Sequence, residues 1–121
     1  MVTVPYGRGA GSFIAGESNF WRSRSHETLA AGQNLPAGAV VGRITASGKL
    51  TALAPAATDG SQNAAGAIFD ACDATAEDKR VVLLGRDYEA DGAMLTWPAG
   101  ISAPQKTAAV AALAALGIVV R

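Results

Sequence analysis

The sequence is poor in the side chains that most site chemistry needs. It has one cysteine, Cys72, and one histidine, His26, in 121 residues. A lone cysteine forms no internal disulfide and no thiolate zinc cluster, so neither a disulfide framework nor a structural zinc site is expected. Charged residues are only 17%, and ten Lys plus Arg are balanced by ten Asp plus Glu. That balance leaves no basic face of the kind that electrostatic binding to nucleic acid requires. No apolar run of about 7–15 residues follows a basic patch near Met1, so no secretory signal is expected. The longest uncharged apolar stretch lies between Lys106 and Arg121 and falls short of the ~20 residues of a membrane span. Synthesis in the cytoplasm is the expectation. Aromatics are 6% against 50% apolar residues overall, so the core is built mainly of alanine, valine and leucine. Small side chains gain little from burial, at about 25 cal/mol for each Å². One domain is expected from the length, with added stability from association with copies of the chain or with a partner.

What is present divides into an arm and a body. Residues 1–25 carry Gly7, Gly9, Gly11 and Gly16 among polar residues with no sustained period of 2 or 3.6, the pattern of a segment mobile in isolation. Yet Tyr6, Phe13, Phe20 and Trp21 lie here, beside Ile14, Arg22 and Arg24. Linkers are normally poor in aromatics, so the arm reads as one built to be buried on a partner. Ordering it costs on the order of 1–2 kcal/mol per residue, which strand pairing plus aromatic burial would have to offset. The alternative is that it folds back on its own body as an edge strand.

Residues 26–121 read as a compact β-rich domain. Pro36 and Gly38 make a turn, Val40, Val41 and Ile44 a strand, Ser47-Gly48 a second turn, and residues 50–53 the returning strand of a hairpin. Further strands are expected at residues 64–69, 80–86 and 94–97, the last ended by Pro98. Residues 88–92 are expected to leave the core. One helix is expected near residues 103–116, capped by Ser102, with Pro104 in its first turn, Gly117 at its end, and Val110, Leu113 and Leu116 on its packing face. Residues 118–120 read as a closing strand that pairs with an early one.

Each candidate for chemistry has a plainer reading. Residues 7–11 look like a phosphate loop but lack the preceding strand, the following helix and the Lys-Ser or Lys-Thr of a Walker pattern. Residues 87–92 imitate the opening of a calcium loop, but Pro98 stands where the bidentate glutamate is needed, and solvated carboxylates are the simpler account. Ser25, His26 and Glu27 are neighbours in sequence, and neighbours do not converge on one reacting atom as a catalytic triad must. Cys72 reads as a small buried hydrophobe. No catalytic residue, metal site or cofactor is expected. Trp97 and Pro98 suit either a core anchor or a subunit-interface anchor.

The Leu35-Pro36-Ala37-Gly38 turn, then Val40-Val41-Gly42, Gly48-Lys49-Leu50, Asp59-Gly60, Ala65-Gly66-Ala67-Ile68, Trp97-Pro98, Lys106-Thr107-Ala108 and Gly117-Ile118-Val119-Val120 follow one another in an order that resembles the head decoration proteins of lambda-like tailed phages. The resemblance covers residues 29–121. It implies a non-enzymatic α+β fold, mainly β with one C-terminal helix, of the small β-barrel-like or β-tulip kind. It further implies trimers on the exterior of the expanded capsid, at local three-fold positions, that cement coat subunits against the pressure of packaged DNA. The N-terminal arm, flexible when free, adds to strands of the coat protein in that family. On this reading Tyr6, Phe13, Ile14, Phe20, Trp21, Arg22 and Arg24 are candidate coat contacts, and Trp97 and Pro98 are candidates for the trimer interface. A second reading, a small β-barrel carrier or ligand-binding module, rests on the hairpin of residues 40–53 with Lys49 at its turn, although Lys49 lacks the methionine neighbours of a biotin-attachment lysine.

Overall fold

A computed structural model describes residues 9–17 and 20–121, the side chains of Phe20 and Trp21 excepted. The elements run β1 (Ile14–Glu17), α1 (Phe20–Ser23), β2 (Arg24–Leu29), β3 (Gln33–Leu35), β4 (Val40–Arg43), β5 (Leu50–Ala52), β6 (Ala64–Ile68), β7 (Cys72–Ala74), β8 (Lys79–Leu84), β9 (Tyr88–Ala90), α2 (Ala103–Ala115) and β10 (Ile118–Val120).

Five strands close into a small barrel in the order β2-β5-β4-β6-β8. The longest ladder is antiparallel, from Arg24 opposite Leu84 to Leu29 opposite Lys79. The parallel pairing of Leu29 with Leu50 closes the ring. Because side chains alternate across a strand, each barrel strand serves two cores. Leu29, Val41, Leu50, Ile68, Val81 and Leu83 fill the barrel. Val40, Ala67 and Leu84 face a second core that they share with Phe13, Tyr88, Ala109, Leu113 and Ile118. The second core is roofed by α2 and a three-stranded sheet in the order β1-β9-β10. The pair β3-β7 is a separate two-stranded sheet that packs on the barrel core through Leu35, Cys72 and Ala74. This is the mainly β, one-helix fold expected from the sequence.

The helix obeys its local signals. The Ser102 hydroxyl accepts from the Gln105 backbone N–H at 3.2 Å while the Gln105 side chain accepts from the Ser102 N–H at 2.9 Å, a reciprocal cap that satisfies two otherwise free donors. Gly117 ends it at φ +82°, and a Cβ there would stand 2.5 Å from the Asp87 carboxylate. The packing face differs from the expected one. Ala109 and Leu113 are buried, whereas Leu116 is 40% exposed, because Leu116 is already the C-cap and the chain has left the helical spiral that would turn it inward.

Four further departures have local causes. Ile14–Glu17 forms an edge strand on β9, with Ile14 opposite Ala90 and Glu17 opposite Tyr88 and an irregularity between Ile14 and Gly16. Residues 88–90 do not leave the core: Tyr88 is 4% exposed and Ala90 fully buried, and they form the central strand of the small sheet. Residues 94–97 form no strand but a turn, where the Asp91 carbonyl accepts from Met94 and Leu95 and the Asp91 carboxylate accepts from Ala93, and only Thr96 bridges, to Ala39. Finally, β10 pairs in parallel with β9, Ile118 opposite Tyr88 and Val120 opposite Ala90, instead of with an early strand.

Candidate functional site

Among the candidate contact residues, Phe13, Ile14, Arg22 and Arg24 are described with their side chains. Tyr6 lies outside the described residues, and so do the side chains of Phe20 and Trp21, whose backbone forms the single turn of α1. Phe13 is fully buried, its ring edge-on to Tyr88 with centroids 6.1 Å apart. In the isolated chain its aromatic surface is therefore committed to the second core. Ile14 is half-buried against the same core. Arg24 holds the carboxylate of Glu17 with two nitrogens, at 3.0 and 2.9 Å, and its guanidinium stacks 4.4 Å from the centroid of Phe69. The Ser23 hydroxyl also donates to Glu17. The Arg24 hydrogen bond is the largest influence on Glu17, outweighs the desolvation that opposes it, and holds the carboxyl below its ordinary value. Arg22 reaches out from α1 to Asp87 at 2.8 Å, with its side chain 64% exposed.

Fold and charge thus bring Phe13, Ile14 and Arg24 together, and Arg22 lies above them at the corner between β8 and β9. A cleft of about 490 Å³ opens beside this corner, between Gly16, Glu17, Arg22, Asp87, Glu89 and Val119. Val119 is 46% exposed. In the sheet order β1 is an outer strand, and an outer strand presents one row of backbone donors and acceptors to whatever lies beside it.

Trp97 and Pro98 sit elsewhere, ahead of α2. Both are half-buried, Trp97 packs against the second core, and Lys106 stands 5.2 Å from the centre of its indole ring. The indole N–H is buried with no acceptor among the described residues. The tryptophan is a core anchor in the single chain, with one unsatisfied donor left over.

The other candidates for chemistry resolve locally. Ser25 and Glu27 lie on one face of β2, where the Ser25 hydroxyl donates to Glu27 at 3.1 Å, and His26 is exposed on the opposite face, so the three do not form a triad. Cys72 is half-buried, and burial pushes its thiol above the ordinary value, the environment of an unreactive cysteine. Gly11, which closes the glycine-rich stretch, donates its N–H to the Phe69 carbonyl. Among the described residues no group of three potential metal ligands converges. Lys49 is held by Asp78 at 2.6 Å, so its amine is not presented as a free attachment point. No helix among the described residues is long and apolar enough to cross a membrane.

Comparison with known proteins adds one match. The family described as Bacteriophage lambda head decoration protein D matches residues 3–118, a span that includes the barrel, the helix and the small sheet as far as the first residue of β10. No curated protein matches the chain.

Proposed function

The chain belongs to the bacteriophage lambda head decoration protein D family, and on that premise we propose that it binds the outer surface of the expanded head as trimers at local three-fold positions and cements coat subunits against the pressure of packaged DNA. Membership makes it a structural component of the phage head, and a family of this kind is not enzymatic. The protein is made in the host cytoplasm and its place of action is the exterior of the virion.

The N-terminal segment supplies the contact by adding to strands of the coat protein, a mode in which main-chain hydrogen bonds give affinity and alternate side chains give register. Tyr6, Phe20 and Trp21 are the anchors, because aromatic rings bury large area at low entropic cost. Three copies of a modest contact on one trimer act at high effective concentration once the first has bound. Trp97 and Pro98 lie at the trimer contact, where a neighbour's carbonyl would satisfy the indole N–H. The observation that carries the reading is the family match over residues 3–118.

Co-sedimentation with expanded, undecorated heads tests it, using the full chain, a chain lacking residues 1–8, and Phe20→Ala with Trp21→Ala. Removing all of residues 1–25 would also take Phe13 and the Glu17–Arg24 pair out of the body, and would confuse folding with binding. Saturable binding by the full chain that weakens in both variants is the expected result. Undiminished binding by both variants refutes the N-terminal contact, and failure of the full chain to bind refutes decoration.

A further inference from the structure

The inward face of the barrel changes character at one end. Alternation along β2 places Ser25 and Glu27 on the same face as Leu29, and along β4 it places Arg43 on the same face as Val41. Leu29 and Val41 are fully buried in the barrel core. The polar residues that continue their rows line a cleft of about 540 Å³, within the ~300–1,000 Å³ common for binding sites, which favour the mouths of barrels. Leu83, 3% exposed, lies at its floor.

The hydrogen bonding of this mouth is one-sided. Glu27 accepts from Arg43 at 2.7 Å on one oxygen and from Ser25 at 3.1 Å on the other. Arg43 also donates to the Gly48 carbonyl at 3.0 Å, which leaves part of its five-donor fork unused. Arg86 on the rim makes no hydrogen bond or ion pair among the described residues, and neither does the side-chain amide of Asn63. The one carboxylate of the mouth is already taken by Arg43, and the charge of Arg80 also acts on it, while Arg86 lines the same cleft, so the mouth has spare donors without a matching acceptor. Beside Arg86 lies Leu116, whose side chain the end of α2 leaves 40% exposed.

From this juxtaposition of uncommitted Arg86 and Asn63 donors with an exposed Leu116 at the open end of the barrel, we infer that the mouth is a docking cleft for an acidic, partly apolar peptide segment of the shell protein. The source of the segment rests on the decoration reading; the chemistry of the cleft does not. A carboxylate meets the Arg86 fork in the planar, two-bonded geometry for which arginine is suited. An apolar neighbour in the same segment covers Leu116, a contact that an inorganic anion leaves unused. Nucleic acid does not fit, because Arg86 is the one basic side chain lining the cleft that is left without a partner among the described residues, and one cation offers no row of phosphate contacts.

Two experiments on the full chain separate this inference from the decoration reading. In head co-sedimentation, Arg86→Glu is expected to weaken binding by about tenfold and Arg86→Lys by less, both with unchanged thermal melting. Equal binding of Arg86→Glu and the parent chain overturns the cleft as a shell contact. In solution, ¹H–¹⁵N spectra are recorded with acetyl-Leu-Asp-Leu-Glu-Leu-amide, with its Asn/Gln counterpart, and with inorganic phosphate. Shifts confined to Gly60, Asn63, Ala65, Gly85 and Arg86 with the acidic peptide alone support the inference. No shifts, shifts spread over other faces, or the same shifts with phosphate overturn it. If the parent chain fails to bind heads, the decoration reading falls and the peptide spectra still decide the chemistry of the cleft.

Discussion

Replacing Phe13 by alanine tests whether the residues ahead of β2 belong to the folded body. The ring is fully buried, stands edge-on to Tyr88 at 6.1 Å, and lies against Gly38, where an added Cβ would already stand 3.1 Å from it. A site walled by backbone on one side and by another ring on the other has little room to collapse, so the cost belongs in the ordinary range for losing a buried phenylalanine, about 3–5 kcal/mol. For a chain of 121 residues, an unfolding entropy of about 2.1 cal/mol/K per residue converts that cost to a melting temperature about 12–20 °C lower. Thermal unfolding followed by far-ultraviolet circular dichroism reads it directly, with urea unfolding as a second measure. Val119→Ala, at a site 46% exposed, is the control and is expected within about 0.5 kcal/mol of the parent. A loss below about 1 kcal/mol for Phe13→Ala would refute the reasoning, since it would mean that residues 9–17 are not packed in the stable state.

Three other outcomes follow from single contacts. Glu17→Gln breaks the pair with Arg24 and is expected to cost about 1–2 kcal/mol at pH 7. Because the folded carboxyl is held below 4.5, the contribution of Glu17 is complete above that value and is lost as pH falls through the lower folded value. The parent should therefore lose its advantage over Glu17→Gln in acid, and a gap in melting temperature that stays constant from pH 7 to pH 3 contradicts this. Gly42→Ala drives a methyl into the Ser61 carbonyl, and urea unfolding should show a loss of about 1–3 kcal/mol. Tyr88→Phe removes the hydroxyl that donates to the Leu84 carbonyl at 3.0 Å and should cost about 1–2 kcal/mol. In the parent, burial raises the Tyr88 phenol far above 10, so alkaline titration followed by tyrosinate absorbance should leave this residue protonated until the fold itself is lost.

The sequence made some of this visible and hid the rest for identifiable reasons. The turn at residues 36–39 and the strand after it were legible because proline, glycine and β-branched residues act over a few positions. So was the helix, through Ser102 and Gly117. The strand Tyr88–Ala90 was misread because it is only three residues long and its carboxylates look like a loop: Glu89 is its outward residue between the buried Tyr88 and Ala90, while Asp87, at φ +56°, and Asp91 belong to the turns on either side. The edge strand Ile14–Glu17 carries two small residues, Ala15 and Gly16, and its existence depends on β9, which lies far along the chain. The barrel mouth was invisible for the same reason. Nothing along the sequence groups Ser25, Glu27 and Arg43 in one place until the pairing of Leu29 with Leu50 closes the ring and turns them inward. The family order of turns and strands was legible over most of the chain, whereas the surroundings of the candidate residues Phe13, Ile14, Arg22 and Arg24 depend on the tertiary pairing.

The small sheet brings early and late parts of the chain to one place. Ala90 has Ile14 on one side and Val120 on the other, so these two residues stand about 10 Å apart, two strand spacings. In topological terms the stretch from Ile14 to Val120 closes on itself at Ala90. A linker that joins Arg121 to a residue ahead of Phe13, with new ends opened in the loop at residues 55–62, would preserve every strand pairing described above together with the buried Phe13 ring. A circular permutant of this kind would present a cargo from the loop of the barrel, at a point the native order of the chain reserves for a turn.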